Sequence, residues 1–587
     1  MKKTDKYLRA CIWVGLLSSF TIFYGQEKKS DLSIQEVTII KSYTPSLSEV
    51  FKIREQPSVI DSIGKEKSIV RYSIFSVPVA STFIPSKGSA RVLQKKKSTP
   101  KHNATVSSAF GNFNNLSLDH SAQIDLDRRQ KVTWLMRFNG LFKDLPDQEL
   151  TTKQNATLLH LGYQHDSNSI ASSSQLSFRS HVFSFYGTLN PIEDKIDLRF
   201  LDPKQQINYL SFKSQWQWYN IILKKADITA HLTTDSFNTN ELQLELNTKL
   251  QLPIGSFFVN AVPSVRYINN EFAADYILNT PSAFASGISQ MELSLSSGKN
   301  RFKFKIGATA VYGFGDDFED QNIFVLPILD LSFKPKKGNF TPFLKVSGEL
   351  SLNSFRTFSD QNPYTAPAIE LKKINIPHAF QLGTRTKLVA GWEFTMNAYY
   401  QKSENTPLFR SFGLDNSDIK TDPTAFRYGN SFEVIYKEME TLGFDASVMA
   451  AFKNGGSLSF QAHWRDYSLT DETEPLNLPG IQFKFNMNIK IWQKIFLQAN
   501  MTFWGAREHS FQEPLNNQPL SVAPYKIVEI PSFVDAEVKL TYQLNDRWDV
   551  HFKAENISNA KQFQWANYQV YGTRFLTGLR YNFDLNF

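Results

Sequence analysis

From about residue 103 to its end, this chain alternates apolar and polar residues almost one by one. "ELQLELNTKLQL" (241–252) puts Leu242, Leu244, Leu246, Leu250 and Leu252 on one face and Glu241, Gln243, Glu245, Asn247, Lys249 and Gln251 on the other. "IQFKFNMNIKI" (481–491) sets Phe483 and Phe485 against Gln482 and Lys484, and "FKFKIGATAVYGF" (302–314) repeats the pattern. So do "VDAEVKLTYQL" (534–544), "VTWLMRF" (132–138), "SLSFQAHW" (457–464) and "WEFTMNAYY" (392–400). A period of two is that of a β-strand with one apolar face, and no helical period competes with it.

The connections alternate as well. Short turns rich in Gly, Asn, Asp and Lys occur at Asp127–Gln130, Asp166–Ser169, Pro253–Ser256, Ser297–Asn300, Pro335–Asn339, Asn454–Gly456 and Leu544–Arg547. Longer polar segments separate them at 188–204, 272–282, 357–376, 405–425, 470–479 and 508–529. Short turns at one end and long loops at the other describe an up-and-down meander. It amounts to about 22 strands between residues 103 and 585, with boundaries least defined around Tyr219–Asp227 and Phe426–Met439. An even number returns both ends of the sheet to the same side.

A soluble sandwich or propeller also alternates, but it buries its apolar face. Three features favour lipid instead. Alternation is continuous, with no helix and no repeat unit. Strands often exceed ten residues, whereas soluble strands centre on about five to six and a tilted membrane strand needs about 9–11. Aromatic residues make up 14% of the chain and crowd the apolar strand positions. Only a closed sheet survives in hydrocarbon, because an open edge finds no hydrogen-bond partner there. The fold class expected is therefore all-β: a transmembrane antiparallel β-barrel of about 22 strands, with a short N-terminal periplasmic segment. Its expected setting is the outer membrane of a diderm bacterium, with outer-membrane lipid around it.

The first 25 residues read as a signal peptide: Lys2, Lys3, Lys6 and Arg9 precede the apolar stretch Ile12–Phe23. The one cysteine, Cys11, lies inside it, so no disulfide is expected in the mature chain. Residues 26–102 lack a clear period, carry five prolines between Pro45 and Pro100, and form the expected periplasmic segment; the barrel is 103–587. The net charge of +8 is spread singly along the strands and forms no basic face, so no nucleic-acid partner is expected. The chain ends "TRFLTGLRYNFDLNF", with Phe575, Leu579, Tyr581, Phe583, Leu585 and Phe587 on one face, Thr577 breaking the series and Leu576 out of pattern. A last strand that must pair with the first cannot fray. Leu579, Tyr581, Phe583, Leu585 and the terminal Phe587 also resemble the signal read by the barrel-assembly machinery.

The sequence resembles a TonB-dependent receptor of the bacterial outer membrane. The likeness is sharpest in "AENISNAKQFQWANYQVYGTRFLTGLRYNF" (554–583), which is similar to that family's last two strands and their loop. "IQEVTIIKSYTPSLSEV" (34–50) resembles the stretch where the family's plug begins. The resemblance implies uptake of a nutrient or ligand, with TonB or another outer-membrane or periplasmic protein as partner. It makes Glu36, Val37, Thr38, Ile39 and Ile40 either a TonB contact or a periplasmic strand. The family's plug, however, has well over a hundred residues, and here about 75 precede the first strand without the plug's glycine-rich turns. The plug is reduced or absent. A barrel this wide should not stand open: the N-terminal segment folds inside, the loops close it, or a partner fills it.

No H-E-x-x-H, G-x-S-x-G or phosphate-binding loop occurs. His160 and His165, five apart on a strand, face opposite sides. "SDQNPYTAP" (359–367) and "DNSDIKTDP" (415–423) read as solvated loops. Neither an enzyme nor a cofactor or metal is expected. Two functions stay open: a TonB-receptor-like transporter, or a plugless barrel serving as a structural subunit of a larger secretion or assembly complex.

Overall fold

The computed structural model describes residues 102–587 except 147, 188–201, 220, 274–279, 299–300, 320, 389–390, 413–425, 428, 454, 472–473, 513–524, 560–561 and 586–587. Alternation becomes strands as expected. Twenty-two of the described strands join one antiparallel sheet, each pairing with the next, and β1 (Ala104–Gly111) pairs with the last, β26 (Arg574–Phe583), so that the sheet closes. Strand lengths run from 8 residues in β1 to 20 in β15 (Trp392–Ser411) and β16 (Phe432–Ala451). Two further hairpins, Arg507–Gln512 with Tyr525–Ile530 and Phe563–Trp565 with Tyr568–Gln569, lie outside this sheet.

The two ends of the barrel differ. Both ends of the sheet, Ala104 and Phe583, sit at the end of the short turns. The longest connections, 185–203, 353–372, 412–431, 505–532 and 556–573, all fall at the opposite end. That polarity puts the loops outside the cell and the turns in the periplasm.

The radial arrangement is inverted relative to a soluble protein. Leu242, Leu244 and Leu246 are exposed, Leu244 by 44%, while Glu241, next to Leu242 and on the lumen face, is fully buried. Outward-pointing rings stack on their neighbours: Phe483 lies 6.1 Å from Phe460 and 5.5 Å from Phe503. Inward positions carry paired charges. Arg137 Nε donates to Asp119 (2.5 Å), Arg465 Nη2 to Asp445 (2.6 Å), and Lys553 Nζ bonds Glu555 (2.5 Å) and Glu537 (3.1 Å). An apolar exterior suits lipid, and a closed ladder satisfies the backbone inside it. The chain is an outer-membrane barrel.

Three segments depart from the sequence reading. Expected loop 405–425 begins later, because β15 continues to Ser411 through a bulge between Ser403 and Thr406. Segment 508–529 is not all loop; it holds most of the outer hairpin. A short helix, Phe355–Gln361, interrupts a chain that showed no helical period. Ser354 caps it, its side chain accepting from the Thr357 N–H.

Candidate functional site: the capped outer mouth

Four of the ten candidate residues, Leu579, Tyr581, Phe583 and Leu585, sit at or just past the sheet's seam. β26 pairs with β1 from Ala104↔Phe583 to Gly111↔Leu576 and with β23 (Trp548–Glu555) on its other side. Leu579 is exposed on the outer face, where Tyr581 and Phe583 stack at 5.6 Å. Leu576, out of pattern in the sequence, is buried on the inner face, and Thr577 points out. Leu585 lies past the strand but is held. The Asn103 side chain donates to its carbonyl (2.9 Å) and accepts from its N–H (2.7 Å), replacing one rung of ladder. Phe587 and Glu36–Ile40 lie outside the described residues.

A second constellation was not foreseen. Loop 353–372 does not stand in solvent. "SDQNPYTAP" is largely buried: Ser359, Gln361, Asn362, Tyr364, Thr365 and Ala366 are each at most 4% exposed. Its polar groups find partners on distant strands, which removes the cost of burying them. Asp360 pairs with Arg179 of β5 (Ile170–Ser184). Ser359 shares a 3.0 Å hydrogen bond with Tyr209 of β6 (Lys204–Trp218). The Glu241 carboxylate, on β8 (Asn240–Ile254), accepts from the backbone N–H groups of Phe355 (2.6 Å) and Arg356 (3.0 Å) at the start of the helix. Asn270 and Gln243 side chains also donate to it.

Beyond the helix the loop reaches the other wall. Ala366 N–H donates to Phe432 O (2.9 Å) and Phe432 N–H to Tyr364 O (3.0 Å), forming a short parallel bridge to β16. Tyr364 stacks on Tyr568 from loop 556–573, ring centroids 3.4 Å apart. Tyr568 OH in turn donates to Asn430 O, whose side chain donates to Phe185 O (2.9 Å). β5 and β16 stand half-way round a ring of twenty-two from each other. Residues from both, from the loops and from the Phe563–Gln569 hairpin thus form one buried aromatic cluster, including Phe183, Phe358, Phe409, Trp565 and Tyr568. It lies across the mouth as a cap. Burial raises the pKa of the Tyr364 and Tyr568 phenols within it, and in a separate buried cluster with Leu141, Leu145 and Ala156 the Tyr571 phenol, bonded to Lys143 O and Thr152 O, is pushed up to about 12.

Among the described residues no three His, Cys, Asp or Glu side chains gather at metal-binding distance. His160 and His165 do face opposite ways: His160 meets Ser177 (2.8 Å) inside, and His165 is on the outer face. Segment 415–423 is outside the described residues.

No protein-family model matches the chain, and no curated protein matches it in sequence. Solved structures match its fold. The FrpB iron transporter from Neisseria meningitidis aligns with TM-score 0.57 at 9% identity, over 82% of this chain and 81% of that one. The siderophore receptor PirA from Acinetobacter baumannii aligns with TM-score 0.57 at 11% identity, over 83% and 81%. FpvA of P. aeruginosa, bound to a heterologous pyoverdine–iron complex, aligns with TM-score 0.57 at 9% identity, over 83% and 72%. The class defined here is the large, closed outer-membrane β-barrel. Its fold is that of the TonB-dependent receptors, set in the outer membrane of a diderm bacterium.

Proposed function

We propose that this chain takes up a nutrient or ligand across the outer membrane as a receptor-type transporter. The observation that carries this reading is the lumen: wide, polar-walled and closed at its outer mouth by the chain's own loops. A structural subunit has no evident use for such a cap. The similar structures are named as an iron transporter and siderophore receptors, so ferric siderophores are the first ligands to try.

Residues 26–102 act as a reduced plug or tether behind the signal peptide. Inward-facing Thr441, Gln482, Lys539, His551 and Asn582 are all buried, from β16 round to β26. A barrel of this size is wider than its own side chains fill. Within the segment, Glu36, Val37, Thr38, Ile39 and Ile40 form the strand offered to TonB or to another periplasmic protein by strand addition.

The test is accumulation of a panel of labelled iron–siderophore complexes by cells expressing the full chain. Uptake of at least one complex is expected, lost on deleting 36–40 and in cells without TonB. Absence of uptake for the whole panel, together with stable co-purification in a secretion or assembly complex, would replace this reading with the structural one.

A further inference from the structure

The short-turn end of the barrel is charged unevenly. Along one arc of the rim the exposed residues are basic. Arg301 and Lys303 stand at the start of β11 (Phe302–Gly315), and Lys387 ends β14 (Lys373–Lys387). Between them Lys334, Lys336 and Lys337 occupy the turn from β12 (Ile323–Phe333) to β13 (Phe340–Leu352). These turns are fastened side by side: Lys334 N–H donates to Arg301 O (2.8 Å) and Lys387 N–H to Asn339 O (2.8 Å). Exposed Lys453, Lys490 and Lys494 continue the arc at the next two short turns. Elsewhere in the wall basic side chains are matched, Lys131 with Asp125, Lys225 with Asp227 and Lys305 with Glu292. None of the six residues from Arg301 to Lys387 forms an ion pair among the described residues, and Glu393, at the same rim, is taken by Arg385 (3.3 Å). At the outer end of the same sector the exposed residues turn acidic, with Asp316, Glu319 and Glu370.

Next to these cations, on the lipid face, lies a row of rings. Phe302, Phe333 and Phe340 are exposed there, and Trp492 repeats the arrangement between Lys490 and Lys494. Outward rings at strand ends mark the edge of the hydrocarbon. A lysine a few residues beyond such a ring stands at the level of the headgroups. Its stem can lie along apolar surface while the ammonium reaches the phosphates. The chain's own N-terminal segment is no electrostatic match for the rim, since residues 26–102 hold seven acidic and fourteen basic residues.

We propose that the rim from Arg301 to Lys387 binds anionic phospholipid of the periplasmic leaflet, with Lys334, Lys336 and Lys337 on the headgroup phosphate and Phe333 and Phe340 against the upper acyl chains. Cations and lipid-facing rings share the same strand ends, so the ligand that satisfies both is anionic at one end and apolar at the other. A lipid has that form, whereas an acidic protein surface would meet the cations and leave the rings uncovered. The selection is for net negative charge, because the ammonium of a zwitterionic headgroup offsets its own phosphate and leaves the unpaired cations unmatched. This surface lies outside the lumen's transport route, and its test does not depend on the transported ligand.

The experiment titrates phosphatidylglycerol and, separately, phosphatidylcholine onto the full chain in neutral detergent and reads bound lipid by native mass spectrometry. Phosphatidylglycerol should bind the tighter of the two, and added salt should weaken it. The double variant Lys336→Gln with Lys337→Gln, two exposed turn residues, should lose about fivefold or more in affinity, and adding Arg301→Gln, Lys303→Gln, Lys334→Gln and Lys387→Gln should lose more. Lys143→Gln with Lys153→Gln, exposed at the outer end, should leave binding unchanged. Heat-modifiable mobility confirms that each variant is a folded barrel, and the turn-tip pair tests the surface even if the sixfold variant does not fold. Equal binding of the two lipids overturns the proposal. So does a folded turn-tip variant that binds as the parent does, or an outer-end variant that loses as much. Displacement of phosphatidylglycerol by inorganic phosphate alone would assign the rim to a soluble anion instead.

Discussion

Tyr364 and Tyr568 stack face to face, 3.4 Å between centroids and 14° between planes, although one belongs to loop 353–372 and the other to loop 556–573. Neither loop can hold this position alone. Each ring is nearly inaccessible, at 1% and 2% exposure. Removing either ring leaves a cavity at the centre of the mouth, and the loss should be about 3–5 kcal/mol of cap stability for Tyr364→Ala or Tyr568→Ala. The double variant should cost less than the sum by about 0.5–1.5 kcal/mol, the share that belongs to the ring pair. Hydrogen exchange in 353–372 and 556–573 measures both. Equal protection in wild type and single variants would show that the stack does not hold the cap.

Facing along the strands gives a second expectation. Leu244 points to lipid and its neighbour Gln243 to the lumen, where Gln243 donates to Glu241 (2.7 Å). Leu244→Arg should cost about 2–4 kcal/mol near the midplane. Lys484→Glu, on an inward position of β18 (Ile481–Trp492), should cost far less, while Phe485→Arg beside it should match Leu244→Arg. Reversible unfolding in lipid vesicles reads the difference. Similar costs at inward and outward sites would overturn the register.

These facings were legible because alternation is a property of each strand by itself. Closure was legible for the same reason: an even strand count and a patterned last strand need no distant information. The cap was not. Asp360 looks like a solvated loop residue until Arg179, 181 positions earlier, is beside it. Glu241 looks like any polar residue of an alternating strand, and its role comes from a helix 114 positions later. A local signal did exist. Ser354 followed by Phe355 and Phe358 sets a capping residue before two aromatics at helical spacing, and Tyr364 follows, which is unusual company for a solvated loop. The irregular ladders among strands Ile323–Phe333, Phe340–Leu352 and Lys373–Lys387 also left traces, in Pro327, Gly348 and Pro377 within them.

Acid should loosen the outer hairpin from the cap. His509 is fully enclosed, and burial with nearby Arg507 pushes its pKa down to about 3. Its Nδ1 faces the Asn477 Nδ2 donor (3.4 Å), whose orientation is set by donation to Phe409 O (2.7 Å), and its Nε2 donates to Ser411 Oγ (2.9 Å). That set suits the neutral ring only. A depressed histidine contributes stability that is complete above the unfolded value near 6.5 and is lost as pH falls toward about 3. The slope is about 1.4 kcal/mol per pH unit across that window. Proteolysis within 507–530 should therefore rise between pH 7 and pH 5, and His509→Gln should flatten the rise. Cleavage that is independent of pH in the parent protein would remove histidine from the account.

The last expectation concerns closure. At the seam the two strands approach through glycine: a Cβ on Gly578 would meet Ser108 O at 2.4 Å, Ala109 Cβ at 2.6 Å and His551 Cε1 at 2.6 Å. Backbone oxygen cannot step aside as a flexible side chain can. Gly578→Val should therefore force β26 away from β1 and leave both edges unpaired, where each bare backbone group in lipid costs several kcal/mol. The variant should lose heat-modifiable mobility and accumulate unfolded. Asn103→Ala removes only the side-chain rung to Leu585, two hydrogen bonds worth about 0.5–1.5 kcal/mol each, so it should fold but melt earlier. If Gly578→Val folds as well as the parent, the first and last strands are not the closing pair. If Asn103→Ala is as damaging as Gly578→Val, the tether rather than the ladder directs closure.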